Sequence, residues 1–275
     1  AFSYLPLSQF PGYGPSGTNP LQTLRVRGGA LPVLSRASAE GASGYQLSYA
    51  YSGGRRSTVG RGFLGFETVR TLDSRSGLET VSQFRQEFPF TGRIRLTTVR
   101  DQDRKVSTYE PAWTSVLTEM PDTARFTYFV HLASDQADSY EVDPDGGQRG
   151  SLVRTTRRSL TWNLAHGAVS RELTEVSSPM SPGQVFRTTR NVSFDEAARA
   201  NGCLALPNRV DVTQDVSGAG TQTRSVLMTY SATTCRLITQ TSGPESDPAR
   251  QLRTTYAYDA NGRTESITRV DAIGA

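Results

Sequence analysis

The feature that most constrains this chain is its punctuation. Short runs of alternating character follow one another, and clusters of Gly, Ser, Asp and Pro cut each of them off within a few residues. A period of two sends successive side chains to opposite faces of a strand, whereas a helix face needs a spacing of three to four. The clearest runs are Tyr45 to Tyr51, Phe66 to Leu72, Glu79 to Arg85, Arg93 to Val99, Arg125 to Leu132 and Val169 to Val176. Turn chemistry stands between them at Ser52-Gly53-Gly54, Asp73-Ser74-Arg75-Ser76-Gly77 and Asp143-Pro144-Asp145-Gly146-Gly147. A hydrophobic fraction of 36%, with 25 Gly and 14 Pro, agrees with many short strands. The expected fold is all-β, an antiparallel sheet of stacked hairpins with at most one short helix. That helix is expected from Phe194 to Ala200, with Ser193 and Glu196 as its capping box and Asn201-Gly202 as its stop.

Residues 1–44 are expected to form an extended linker or strap carrying a first strand, because Ala1 to Pro20 is rich in Pro and Gly and has little periodicity. Residues 45–275 are expected to form the sheet. The chain lacks an initiator Met and stops within a few residues of a repeat unit, which gives the expectation of a piece of something longer.

Charge argues against several functions. Thirty basic residues oppose 26 acidic ones, and apart from Lys105 every basic residue is Arg. Those Arg residues, among them Arg55, Arg95, Arg154 and Arg224, are dispersed, so solvated strand faces are expected and a phosphate-binding stripe is not. No run approaches the roughly 20 apolar residues of a membrane-spanning helix. Neither nucleic acid, a membrane span nor a cofactor is expected.

The last third repeats itself. Tyr230-Ser231-Ala232-Thr233-Thr234-Cys235 aligns with Tyr258-Asp259-Ala260-Asn261-Gly262-Arg263 at a period of 28, and Phe194-Asp195 through Gly202-Cys203 is an earlier copy enlarged by the short helix. A unit of this length cannot bury an apolar face alone, so it stacks on neighbours. In the last copy Tyr256 and Tyr258 share a face, Asp259 can bond turn amides, and Asn261-Gly262 offers the positive φ angles of a tight turn.

Thr255 to Arg263 resembles the YD repeat of RHS proteins. A second resemblance runs from Tyr45 to Tyr51 into Arg61-Gly62-Phe63-Leu64-Gly65-Phe66-Glu67, followed by Gln86-Glu87-Phe88-Pro89 and Gly92. It is similar to the segment entering the YD repeats in SpvB-like proteins and in B components of insecticidal toxin complexes. The resemblance implies a hairpin spiral that builds a hollow shell around a toxin polypeptide. It assigns structural roles to Gly62, Phe63, Gly65, Phe66, Tyr256, Tyr258, Asp259, Asn261, Gly262 and Arg263. The expected partners are other segments of the same shell and the enclosed polypeptide, with self-association through edge strands; the expected location is secreted or at the bacterial cell surface. The DPxG-rich autoproteolytic element of the family has only an isolated fragment here, at Asp143 to Gly146, and no protease residues carry over.

No enzyme is expected. His131 reads as a satisfied strand residue, and His166 before Gly167 as turn chemistry. Tyr51-Ser52-Gly53-Gly54 has Ala50 where a nucleophile elbow needs glycine. The pairs Glu172 with Glu175 and Asp101 with Asp103 lack the companions of a catalytic or metal site, so no metal is expected. Tyr45, Tyr49 and Tyr51 fall on one strand face and fit either cross-strand packing or a sugar-binding ladder. A carbohydrate- or protein-binding β module is therefore the alternative to a structural wall segment.

Cys203 and Cys235 follow the turn in consecutive copies. Equivalent residues of regularly stacked hairpins lie about two strand spacings apart, roughly 9–10 Å, beyond the ~7 Å Cα limit of a disulfide. Only a slip in register, which the insert before Cys203 can supply, permits a bond, and both states stay open.

Overall fold

In the computed structural model the described residues are 2–9, 23–25, 32–38, 45–120, 125–141, 150–243, 247 and 250–271. The chain divides into two compact units, Ala1–Thr155 and Thr156–Ala275. The strands of the first are β1 (Phe2–Pro6), β2 (Thr23–Arg25), β3 (Pro32–Ser38), β4 (Gln46–Ser52), β5 (Arg55–Ser57), β6 (Thr68–Asp73), β7 (Leu78–Phe84), β8 (Ile94–Asp101), β9 (Arg104–Met120) and β10 (Arg125–Tyr140). β11 (Leu152–Asn163) contains the boundary. Then follow β12 (Ala168–Ser177), β13 (Val185–Phe194), the helix α1 (Glu196–Ala200), β14 (Pro207–Val216), β15 (Gly220–Tyr230), β16 (Leu237–Gly243), β17 (Leu252–Tyr258) and β18 (Thr264–Asp271).

Sixteen strands form one ladder in the order β1-β3-β4-β6-β7, and from there to β18 each strand neighbours the next in sequence. β2 and β5 make a separate pair. The fold is therefore all-β and antiparallel, as the alternating runs require, and the one α-helix among the described residues has five residues. Five of the six expected runs coincide with strands to within two residues at each end. The sixth, expected to stop at Leu132, runs on to Tyr140 opposite β9. A register shift between Leu132 and Ser134, beside Pro111 and Ala112, absorbs the irregularity. Pro111 has no amide to donate, and it stands beyond Tyr109, where the pairing with β8 ends, so no bond to β8 is lost.

The local causes of the turns are explicit. Asp73 closes the β6–β7 hairpin by accepting from the Arg75 amide at 2.8 Å, and Gly77 takes φ +71 as it returns to the Asp73 carbonyl. The Arg75 amide is the main reason the Asp73 carboxyl is held below the usual range. Thr213 and Thr223 share a hydroxyl hydrogen bond across β14 and β15, as do Thr229 and Thr239 across β15 and β16.

Two expectations need correction. Residues 1–44 bring three strands rather than one, and two of them, β1 and β3, belong to the main ladder. The Pro- and Gly-rich residues 10–22 of the expected strap lie outside the described residues, as does the Asp143–Gly147 turn. The helix begins later than its pattern suggested. Ser193 and Phe194 remain in β13, and the cap is Asp195, whose carboxylate accepts from the Ala198 amide at 2.9 Å. Asp195 outcompetes Ser193 because Phe194 still pairs with Pro207 in the ladder, which keeps its backbone extended.

Few apolar side chains are buried. Among the described residues they are Leu7, Val33, Leu64, Val81 and Pro111 in the first unit and Val192, Ala198 and Cys203 in the second. Ala198 and Cys203 sit in the α1 loop, so the strands of the second unit bury one apolar residue between them. Ladder hydrogen bonds and the turns, more than a central core, hold this unit together.

Candidate functional site

The chemistry-bearing residues gather at the turns that follow β11, β13, β15 and β17. Three of these turns are built alike. An aromatic residue ends the strand and a short polar residue follows it: Phe194-Asp195, Tyr230-Ser231 and Tyr258-Asp259. The polar residue's amide donates to the carbonyl that closes the loop, Leu206, Arg236 or Arg263 respectively, at 2.8–2.9 Å. Its side-chain oxygen accepts from an amide inside the turn: Asp195 from Ala198, Ser231 from Thr234, Asp259 from Arg263. Loops of different length are thereby closed by one device, since a short side chain such as Asp or Ser reaches the amides of its own turn.

The two Tyr copies add a second link. Tyr230 donates its hydroxyl to the Pro207 carbonyl at 3.0 Å, and Tyr258 donates to the Leu237 carbonyl at 2.8 Å. Each acceptor begins the preceding strand. Burial also pushes the Tyr230 hydroxyl above its ordinary pKa, so the phenol stays a donor. The Arg236 guanidinium lies over the Tyr258 ring and beside Gly262, where a methyl group would run into it. Gly262 also has φ +83. Asn261 is not in the left-handed region, which corrects the expected pair of positive φ angles. The Gly262 amide returns to the Asp259 carbonyl, so the loop has one left-handed residue rather than two. Tyr256 shares the less exposed side of β17 with Leu252, Thr254 and Tyr258, while Arg263 supplies backbone links to Asp259.

The first of these turns is covered by the loop after β13. His166 is buried and stacks on Phe194 at 4.7 Å between ring centres. Its Nδ1 accepts from the Ala205 amide at 3.3 Å, which makes Nε2 the protonated nitrogen, and Nε2 donates to Glu196 Oε1 at 3.0 Å. That bond is the first reason the Glu196 carboxyl sits below the usual range. His166 therefore clamps the α1 loop, a role its short turn context alone did not announce. The same loop is joined to the next turn by a disulfide between Cys203 and Cys235, with Cα atoms 5.6 Å apart. The residues between Asp195 and Leu206 carry Cys203 off the ladder, which shortens the distance that regular stacking would impose.

In the first unit the Arg61 to Phe66 motif is a looped ribbon. Gly62 and Gly65 take φ +74 and +87. Ser57 donates its amide to the Gly62 carbonyl, and the Leu64 and Arg55 amides bond back to Arg55 and Gly65. Phe66 lies between Tyr51 and Phe63, with ring centres 4.7 and 5.3 Å away. Gln86 ties the ribbon to the following turn by donating its amide to the Gly53 and Gly65 carbonyls at 2.7 and 2.8 Å, and Arg61 covers the Phe88 ring. The two halves of the motif, some 20 residues apart in sequence, meet through these contacts.

The Tyr series is divided in use. Tyr51 donates to the Leu34 carbonyl and packs on Phe66. Tyr49 instead lines a hollow of about 440 Å³ with Ser3, Ser35, Arg36 and Ser48. Tyr45 precedes β4. His131 stacks on Phe129 in β10, and Glu172 and Glu175 pair with Arg158 and Arg187 across strands. Among the described residues no three His, Cys, Asp or Glu side chains gather as metal ligands, and no helix is long and apolar enough to cross a membrane.

No family model matches the sequence, and no curated protein does. The fold nevertheless has solved counterparts, and at the level of fold this antiparallel sheet is similar to part of several toxin-complex structures. A crystal structure of TcdB2-TccC3-Cdc42 superposes over 92% of this chain with a TM-score of 0.61 at 9% identity. One of TcdB2-TccC3 covers 88% with a TM-score of 0.59 at 10% identity. The Tc holotoxin pore of Photorhabdus luminescens covers 86% with a TM-score of 0.60 at 10% identity. The chain spans only 18–19% of the length of each of these structures. At the level of fold, the resemblance to toxin-complex proteins holds.

Proposed function

We propose that this chain is a non-catalytic segment of the wall of a bacterial RHS-repeat toxin or encapsulation protein. The observation that carries the reading is the one turn device recurring at Phe194-Asp195, Tyr230-Ser231 and Tyr258-Asp259, each tied to its own hairpin by the same bonds. Such repetition suits a scaffold extended by adding units. The scarcity of buried apolar side chains fits a sheet whose faces meet other segments of the same shell and an enclosed toxin polypeptide. The likeness to toxin-complex structures supports the same reading and, with it, a secreted or cell-surface location for the parent protein. Protease protection tests it. In the parent protein the enclosed polypeptide survives a protease dose that digests it once the shell is denatured, and equal digestion in both states would reject the proposal.

Edge strands give a second expectation. All eight residues of β18 are exposed, and β17 is its one ladder partner among the described residues. The isolated segment therefore self-associates through edge pairing. Sedimentation velocity across a concentration series reports this, and a single monomer boundary throughout would count against it.

The hollow beside Tyr49 favours one alternative, a carbohydrate-binding surface, since an aromatic ring, Arg36 and three Ser hydroxyls line it. On a glycan array this reading predicts signals that vanish with Tyr49→Ala and persist with Tyr51→Phe. Signals unchanged by Tyr49→Ala would dismiss it.

A further inference from the structure

We infer that the Cys203–Cys235 disulfide is a redox-operated latch that holds the loop between Asp195 and Leu206 over His166. Its chemistry stands on the fold alone, and only its purpose, regulating one turn edge of a wall, rests on the reading above. Cys203 is buried at the end of the α1 loop, and Cys235 stands on the exposed β15–β16 turn. Two residues after Cys203, the Ala205 amide bonds His166 Nδ1, so the latch and the His166 clamp are joined through Leu204 alone.

The backbone records what the latch holds. Three non-glycine residues among those described have positive φ, and two of them are Ala205 at +57 and Cys235 at +58. A residue with a Cβ keeps that conformation only where its surroundings over-determine it. Cys235 is held there by its own turn, where its amide returns to the Ser231 carbonyl, and by the bond to the α1 loop; Ala205 is held by that bond through Leu204 and by His166. The rest of the ladder does not pass through either residue: β13 pairs with β14, and β14 with β15, by their own hydrogen bonds. Release is therefore local.

The step requires a dithiol reductant. One thiolate attacks the Cys235 sulfur on the exposed turn, the sulfur–sulfur bond breaks, and Cys203 leaves as a thiolate that takes a proton. The second thiol of the reductant then attacks the mixed disulfide, frees Cys235, and closes the reductant's own disulfide. Two electrons and two protons pass from the dithiol to the two cysteines. With the bond gone, Cys235 stays in its turn while Ala205 loses one of its two constraints and relaxes towards negative φ, the loop lifts, and His166 meets solvent. An oxidising milieu closes the latch and a reducing one opens it.

Carbethoxylation of histidine by diethyl pyrocarbonate tests this on the full chain, with His131 in the first unit as the internal control. Protein is treated with or without dithiothreitol, its thiols are capped with N-ethylmaleimide, and the labelled peptides are weighed. Without reductant neither cysteine is capped and His166 labels slowly; after reduction both are capped and His166 labels roughly tenfold faster, the scale of a local opening, while His131 is unchanged. The double variant Cys203→Ser/Cys235→Ser labels like the reduced protein without any dithiol. Capping of both cysteines with no change at His166 overturns the latch. So does capping without reductant, because no bond then exists, and so does a joint rise at His131 and His166, because the opening is then global. A hollow or solid parent particle is decided separately, so failure here and failure of the wall reading are told apart.

Discussion

A single carboxylate shows how the turn edge responds to its medium. Glu196 is held below the ordinary carboxylate range, first by the bond from His166 Nε2. A depressed folded pKa means the contribution is complete above the unfolded value of about 4.3 and fades as pH falls through the folded value. Thermal midpoints between pH 6 and pH 3 should thus fall further for the native chain than for Glu196→Gln, and parallel profiles would contradict the assignment. Gly262 makes a sharper demand through its φ of +83, whereas the Arg236 guanidinium beside it can swing aside. Gly262→Ala is expected to cost about 1–2 kcal/mol, seen as a lower denaturant midpoint, and an unchanged midpoint would count against the tight-turn account. Tyr258→Phe and Tyr230→Phe each remove one hydroxyl bond to a preceding strand. Each should cost roughly 1 kcal/mol, and because the two bonds share no partner the losses should add.

Elements were legible in the sequence where chemistry is local. The period of two placed six of the strands, Asp73 to Gly77 placed a hairpin, and the repeat placed Tyr230 and Tyr258, with Phe194 in its enlarged earlier copy, at equivalent strand ends. Features that depend on partners were not legible. Asp195 became the helix cap only because Phe194 stays paired to β14, and β1 joined the ladder through residues of β3 some 30 positions away. His166 read as turn chemistry, since nothing nearby announces a loop arriving from Ala205. The disulfide belongs to this scale as well. It links residues 32 apart, and the chain-entropy account gives such a loop about 3–4 kcal/mol. Cys203→Ser/Cys235→Ser should lose most of that in a denaturation experiment, with the loss confined to probes in the second unit; an equal loss in the first unit would show that the link does more than close one loop.

At the scale of the whole molecule, the sheet has many ladder bonds and few buried apolar residues, so its stability should lean on what covers its faces. Exposed side chains such as Phe186, Leu227, Ile238 and Ile267 on strands of the second unit agree with that. They would be ordinary on the wall of an assembly and are costly in isolation. Hence the isolated segment should bind a hydrophobic dye more strongly, residue for residue, than the parent protein, and equal binding would argue that these faces are never covered. The central claim is that such hairpins build a wall around a cavity. Electron microscopy of the full parent protein tests it most directly: the account predicts a hollow shell with this sheet in its wall, and a solid particle with the sheet packed around its own core would contradict it.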